Sequence, residues 1–229
     1  MKIDRLFKYS IAIFFLTATL ASTLRAANRT SIALDGTWEI ADSQKAEAVP
    51  ATWNHKVPVP GLAHSAQPGF PQVDEFDSRQ LILNRARDSK VPQSAIVHNA
   101  GVSRQGRNWF WYHRTFEVPA LRKVAILRIN KAQFGAAVWL NGVKIGEHLP
   151  CFTAAIFDLS QAIRQGRNEL IVRVGAHPGV LPLTVSAGTD FEKIRWTPGI
   201  YDSVSLALSD NPAIESIQML LEESARLSV

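Results

Sequence analysis

Cysteine is almost absent from this 229-residue chain: Cys151 stands alone. An intramolecular disulfide and paired-cysteine zinc sites are therefore excluded by count. Cys151 lies in LPCFTAAIF, among apolar neighbours, which predicts a buried thiol. Close-spaced metal ligands are missing too. His55, His64, His98, His113, His148 and His177 are dispersed, with no HExxH pair. No nucleophile-elbow motif accompanies the serines. These absences argue against a self-contained hydrolase and against a metal cofactor. Lys and Arg number 25 against 20 acids, but they are scattered, so the basic footprint that nucleic-acid binding needs is lacking. Helical periodicity is scarce, and one apolar run, Ile11–Leu20, stands out.

That run is too short to span a bilayer, which takes roughly 20 apolar residues. Lys2, Arg5 and Lys8 precede it and the small residues Ala21, Ser22, Ala26 and Ala27 follow. This order predicts a secretory signal peptide over residues 1–26, cut after Ala21 or Ala26, and hence a secreted or periplasmic protein. An uncleaved N-terminal anchor is the alternative. Removing residues 1–26 takes away four bases and one acid, which lowers the formal charge from +5 to +2. The rest has an ordinary globular balance, 46% apolar and 20% charged over the whole chain, and is long enough to bury a core unaided.

What is present is a series of short segments rich in β-branched and aromatic residues, bounded by turn residues. Trp109–Val118, Val124–Asn130, Ala136–Leu140, Val143–His148, Glu169–Val174 and Tyr201–Leu208 read most clearly as strands. Gly36–Ala41, Lys56–Val59 and Ala155–Asp158 read as weaker ones. Asn141-Gly142 separates two of them and predicts a hairpin, because both residues tolerate the positive φ of a type I′ turn. Ser160–Arg164 has room for one helical turn, and Ile214–Leu227 has the pattern of an amphipathic helix. Gly61–Asn108 shows little alternation and reads as a long irregular segment. Strands with turns every 8–12 residues and no helical crossovers predict an all-β sandwich or barrel.

LDGTWEI (Leu34–Ile40), VPVPG (Val57–Gly61), FWYHRTFEVP (Phe110–Pro119), LRINKAQFGAAVWLNGVKIGEH (Leu127–His148), FDLSQAIRQGRNELIVRV (Phe157–Val174) and WTPGIYDSVSL (Trp196–Leu206) follow one another in an order that resembles the N-terminal sugar-binding domain of glycoside hydrolase family 2. The aromatic strand departs from that family's Tyr-Arg-Arg-Thr-Phe-like run at His113-Arg114. The resemblance implies a galactose-binding-like jelly roll over residues 27–209. NPAIESIQ (Asn211–Gln218) is similar to the first strand of the Ig-like domain that follows in the family, so residues 210–229 read as its truncated start. It further implies partners absent from this sequence: the rest of the Ig-like domain and a (β/α)₈ barrel carrying two catalytic glutamates. The expected role is a non-catalytic scaffold of a secreted β-galactosidase-, β-glucuronidase- or β-mannosidase-type enzyme, with a glycoside as ligand. A free-standing carbohydrate-binding module is the alternative, and a structural surface protein a third reading.

Trp109 and Trp111 lie one strand period apart. Aromatic rings stack on the apolar faces of sugars, so both are candidate sugar or interdomain contacts, with core packing as the competing role. Asp190, Glu192 and Trp196 precede the last strand, in the loop that approaches the neighbouring barrel in the related enzymes, where solvent exposure is the competing reading. Arg107, with Arg104 and Asn108, precedes the aromatic strand at the same mouth. Asp74, Glu75, Asp77 and Asp88 lack a calcium-loop spacing. Asn28-Arg29-Thr30 fits a glycosylation sequon.

Overall fold

The computed structural model describes residues 29–71, 73, 107–188 and 197–210, with the backbone of 220–221 and 227–228. Thr30–Leu208 form one compact unit. Its strands are β1 (Thr30–Ala33), β2 (Gly36–Ser43), β3 (His55–Val59), β4 (Gly61–Leu62), β5 (Trp109–Val118), β6 (Val124–Ile129), β7 (Ala132–Gln133), β8 (Ala136–Leu140), β9 (Val143–His148), β10 (Ala155–Asp158), β11 (Gly166–Gly175), β12 (Gly199–Ile200) and β13 (Val204–Ser209). No α-helix occurs among the described residues. The fold is all-β.

A six-stranded sheet in the order β3-β2-β5-β11-β8-β9 faces a four-stranded sheet in the order β1-β13-β6-β10. All pairings are antiparallel. Strand alternation explains the core between them. Phe110, Tyr112, Phe116 and Val118 share one face of β5, and Leu170, Val172 and Val174 share the matching face of β11. They meet Leu127 and Ile129 of β6, Phe157 of β10, and Leu206 and Leu208 of β13 in a single apolar cluster. Each such side chain contributes roughly 1.5–3 kcal/mol on burial.

The Asn141-Gly142 hairpin joins β8 to β9 as the sequence predicts, with φ of 51° and 83° at its two corner residues. Asn141 does a second job there. Its Oδ1 accepts from the Glu169 N–H (3.0 Å) and its Nδ2 donates to Asn168 Oδ1 (2.9 Å) and the Ala162 carbonyl (2.9 Å). Asn168 is fully buried, and its Nδ2 donates to the Arg164 and Gly166 carbonyls. This amide network ties the β10–β11 turn to the hairpin.

Two segments, Tyr201–Leu208 and Ile214–Leu227, differ from the sequence reading. Tyr201–Leu208 is not one strand. The chain leaves β12, turns through Tyr201–Ser203 where Asp202 Oδ1 accepts the Ser203 N–H (2.7 Å), and re-enters the four-stranded sheet as β13. β12 instead sits between β4 and β7 in a small third sheet. Gly199 permits that approach, since a Cβ there would lie 2.7 Å from the Gly61 carbonyl oxygen. Ser160–Arg164 forms the single turn expected of it, in which Ala162 and Ile163 both donate to the Leu159 carbonyl at 2.9 Å. Within Ile214–Leu227 the described backbone is extended: β14 (Leu220–Leu221) pairs antiparallel with β15 (Leu227–Ser228) in a separate small unit. A helix of that length is marginal on its own, so propensity decides little there.

Candidate functional site

The six-stranded sheet is buried on both faces over its middle. Alternation places Trp109, Trp111 and His113 of β5, Ile171 and Arg173 of β11, and Ala137 and Trp139 of β8 on the outer face. The segment between β2 and β3 supplies the cover. Arg173 is 5% exposed, and its guanidinium lies 4.1 Å from the Trp109 ring centre, 5.5 Å from Trp139 and 5.8 Å from Trp111. Nη1 donates to the Ala46 carbonyl and to Glu47 (3.0 Å), and Nη2 to Glu147 (2.9 Å). Lys144 closes the cluster by pairing with both Glu47 and Glu147, and the bonds from Lys144 and then Arg173 hold the Glu47 carboxyl below its usual range. Trp111 donates its indole N–H to Ser43 Oγ at 2.8 Å.

One row along the sheet, His113 is clamped between two carboxylates. Nδ1 lies 2.6 Å from Glu39 Oε2 and Nε2 lies 2.9 Å from Glu169 Oε1. Trp53 stacks on the His113 ring at 4.7 Å and 12°. The β2–β5 ladder stops at the Glu39–His113 pair, while β2 stays paired with β3 as far as Gly36. The two strands splay there and open a groove of about 490 Å³, lined by Thr37, Trp38, Glu39, Lys56, His113, Arg114, Thr115 and Arg167. Arg114 has the parity of the core residues Tyr112 and Phe116 but occupies the gap. Its Nη1 donates to the Asp35 carbonyl (3.0 Å), its guanidinium lies 5.9 Å from the Trp38 ring centre, and its Nε is buried with no hydrogen-bond partner among the described residues.

At the end of the sandwich, Arg107 is 4% exposed. Its Nε donates to Asp42 (2.9 Å), its Nη1 to the Pro71 carbonyl (2.7 Å), and it lies over the rings of Phe70 and Phe110. Asn108 Oδ1 meets His177 Nε2 at 2.9 Å. Gln133, fully buried, receives the Tyr201 hydroxyl (3.1 Å) and donates to the Ala187 carbonyl (3.1 Å). Burial pushes the phenol of Tyr201 and the thiol of Cys151 upward. No group of three or more metal-ligating side chains occurs among the described residues.

Of the residues singled out from the sequence, Arg107, Trp109 and Trp111 are described and Asp190, Glu192 and Trp196 lie outside the described residues. So do the acids of the long loop, Asp74, Glu75, Asp77 and Asp88, and Arg104. Trp111 is fully buried and leaves no ring face for a sugar; Arg107 is buried and donates from Nε and Nη1 within the domain. Trp109 is partly exposed, with Arg173 against one side of its ring. Sequence reasoning did not single out Arg173, Glu39, Glu169, Lys56 or Arg167. The signal for the covered face is AAVWL at Ala136–Leu140, a strand with no polar position, which is the pattern of burial on both sides. His113-Arg114, the departure from the related aromatic strands, marks the groove.

The family described as "Glycosyl hydrolase 2 galactose-binding domain-like" matches residues 88–180. A β-galactosidase of Arthrobacter sp. (strain B7) is 33% identical over 100 residues, which is 42% of this chain and 9% of that protein. A β-glucuronidase of Felis catus is 33% identical over 111 residues, covering 44% of this chain and 17% of that protein. The chain thus spans less than a fifth of the length of either relative. The structure of a β-glucuronidase from an uncultured Clostridium sp. matches with a TM-score of 0.51 at 22% identity, over 87% of this chain and 32% of that one, a likeness of fold.

Proposed function

We propose that this chain, whose residues 88–180 carry a galactose-binding-like domain of the glycosyl hydrolase 2 kind, is the non-catalytic sandwich domain of a β-galactosidase-, β-glucuronidase- or β-mannosidase-type enzyme. Its task is to support a neighbouring (β/α)₈ barrel that holds the hydrolytic carboxylates. The family match on an all-β sandwich carries this reading. Four carboxylates of the sheet face support it further, because they are already engaged. Glu39 and Glu169 clamp His113, and Glu47 and Glu147 share Lys144 and Arg173. Retaining hydrolysis needs two carboxyls about 5 Å apart, free to act as nucleophile and acid/base.

The finer topology of this reading is the galactose-binding-like jelly roll. The basic start and apolar run of residues 1–26 support export to the periplasm or beyond. The purified chain is expected to release no nitrophenol from β-galactoside, β-glucuronide and β-mannoside substrates between pH 4 and 9. Enzymatic turnover of any of the three that co-purifies with the chain and disappears on denaturation contradicts the proposal.

A further inference from the structure

We propose that the groove opened by the splaying of β2 from β5 binds an acidic saccharide, whose carboxylate or sulfate is held by Lys56, Arg114 and Arg167. Three cations line this groove and one carboxylate, Glu39, does. Lys56 and Arg167 are exposed, and neither makes an ion pair among the described residues, although Glu117 lies directly opposite Arg167 in the β5–β11 register. Glu39 is committed to His113. Lys56 and Arg167 therefore lack a counter-ion among the described residues, and planar guanidinium groups match carboxylate and sulfate oxygens.

The placement of Arg114 is the second observation. A charged residue stands at a position whose neighbours in alternation, Tyr112 and Phe116, are core. Fixed by the Asp35 carbonyl and the Trp38 ring, it presents a pre-oriented guanidinium at the groove, which lowers the entropic cost of holding an anion. The hydroxyls of Thr37 and Thr115, which both donate and accept, suit the hydroxyls of a sugar. The volume falls within the roughly 300–1,000 Å³ of small-ligand clefts. The saccharide half of the inference rests on the galactose-binding-like reading, whereas the anion half rests on these cations alone.

Calorimetric titration of the whole chain with D-galacturonate, D-galactose 6-sulfate, D-galactose and inorganic sulfate tests it. The expected result is binding of one or both sugar acids, at least tenfold tighter than D-galactose or inorganic sulfate and weakened by raising salt from 0.05 to 0.5 M. Which sugar acid binds identifies the oxyanion. The K56M/R167M double variant, altered only at exposed side chains and so expected to melt with the wild type, should bind at least tenfold more weakly. No binding of either sugar acid, equal binding of D-galactose, inorganic sulfate binding as tightly as the sugar acids, or undiminished binding by the double variant overturns the inference. Hydrolysis of nitrophenyl glycosides bears on the non-catalytic role instead, so the two readings fail separately.

Discussion

Arg173→Ala is expected to destabilise the sandwich by about 3 kcal/mol, read as a fall in melting temperature of roughly 6–12 °C for a domain of this size. Arg173 works as the centre of a second core. Three indoles surround its guanidinium, and its donors fasten the Ala46–Glu47 segment and Glu147 of β9 onto the sheet. Truncation removes these charge-assisted bonds and opens a void between Trp109, Trp111 and Trp139. The two carboxylates left behind are partly exposed and stay hydrated, which keeps the loss at the low end for a broken buried pair. Arg173→Met keeps the stem in place and should lose about half as much. Tryptophan fluorescence reports the same event, because the indoles gain water in the alanine variant. A melting temperature within 2 °C of wild type contradicts this role.

Tyr112 should govern stability in alkali. Burial in the core pushes its phenol far above the usual range, and the Ile200 N–H approaches the oxygen without hydrogen-bond geometry. The folded state thus keeps its proton where the unfolded chain, with a phenol pKa near 10, releases it. Stability is complete below about pH 10 and falls above it by about 1.4 kcal/mol per pH unit from this group alone, about 3 kcal/mol by pH 12. Tyr201 and Cys151, also raised by burial, add to the loss in the same direction. Tyr112→Phe removes one proton from that slope. Since the hydroxyl has no hydrogen-bond partner among the described residues, the variant should match or exceed wild type at pH 7. Urea titrations of both proteins at pH 7, 10 and 11.5 check this. Parallel loss of stability in the two proteins is the contrary result.

The fold was readable where sequence and local physics agree. Asn141-Gly142 dictates its hairpin, and β5, β8, β9 and β10 begin and end where β-branched and aromatic runs meet turn residues. Boundaries drifted at β11, where Gly166 with φ of 82° starts the strand three residues before Glu169. Pattern also failed at Tyr201, because a strand that changes sheets keeps the same alternation on both sides of the step. The candidate site was harder to read for a different reason. Trp109 and Trp111 have the residue type of sugar platforms, but the partner that claims them, Arg173, is more than 60 positions away in sequence, and the cover comes from residues near Glu47. The groove depends on where one ladder ends, a property of pairing that no single segment carries.

Trapping tests the proposal that this sandwich belongs to a glycosidase without itself cleaving glycosides. A retaining glycosidase forms a covalent glycosyl-carboxylate intermediate, and 2-deoxy-2-fluoro glycosyl fluorides make that intermediate accumulate. The intact mass of the chain is expected to stay unchanged after incubation with the galactosyl, glucuronyl and mannosyl reagents. A stoichiometric mass gain of one fluorosugar, mapped to an Asp or Glu of this chain, would contradict it.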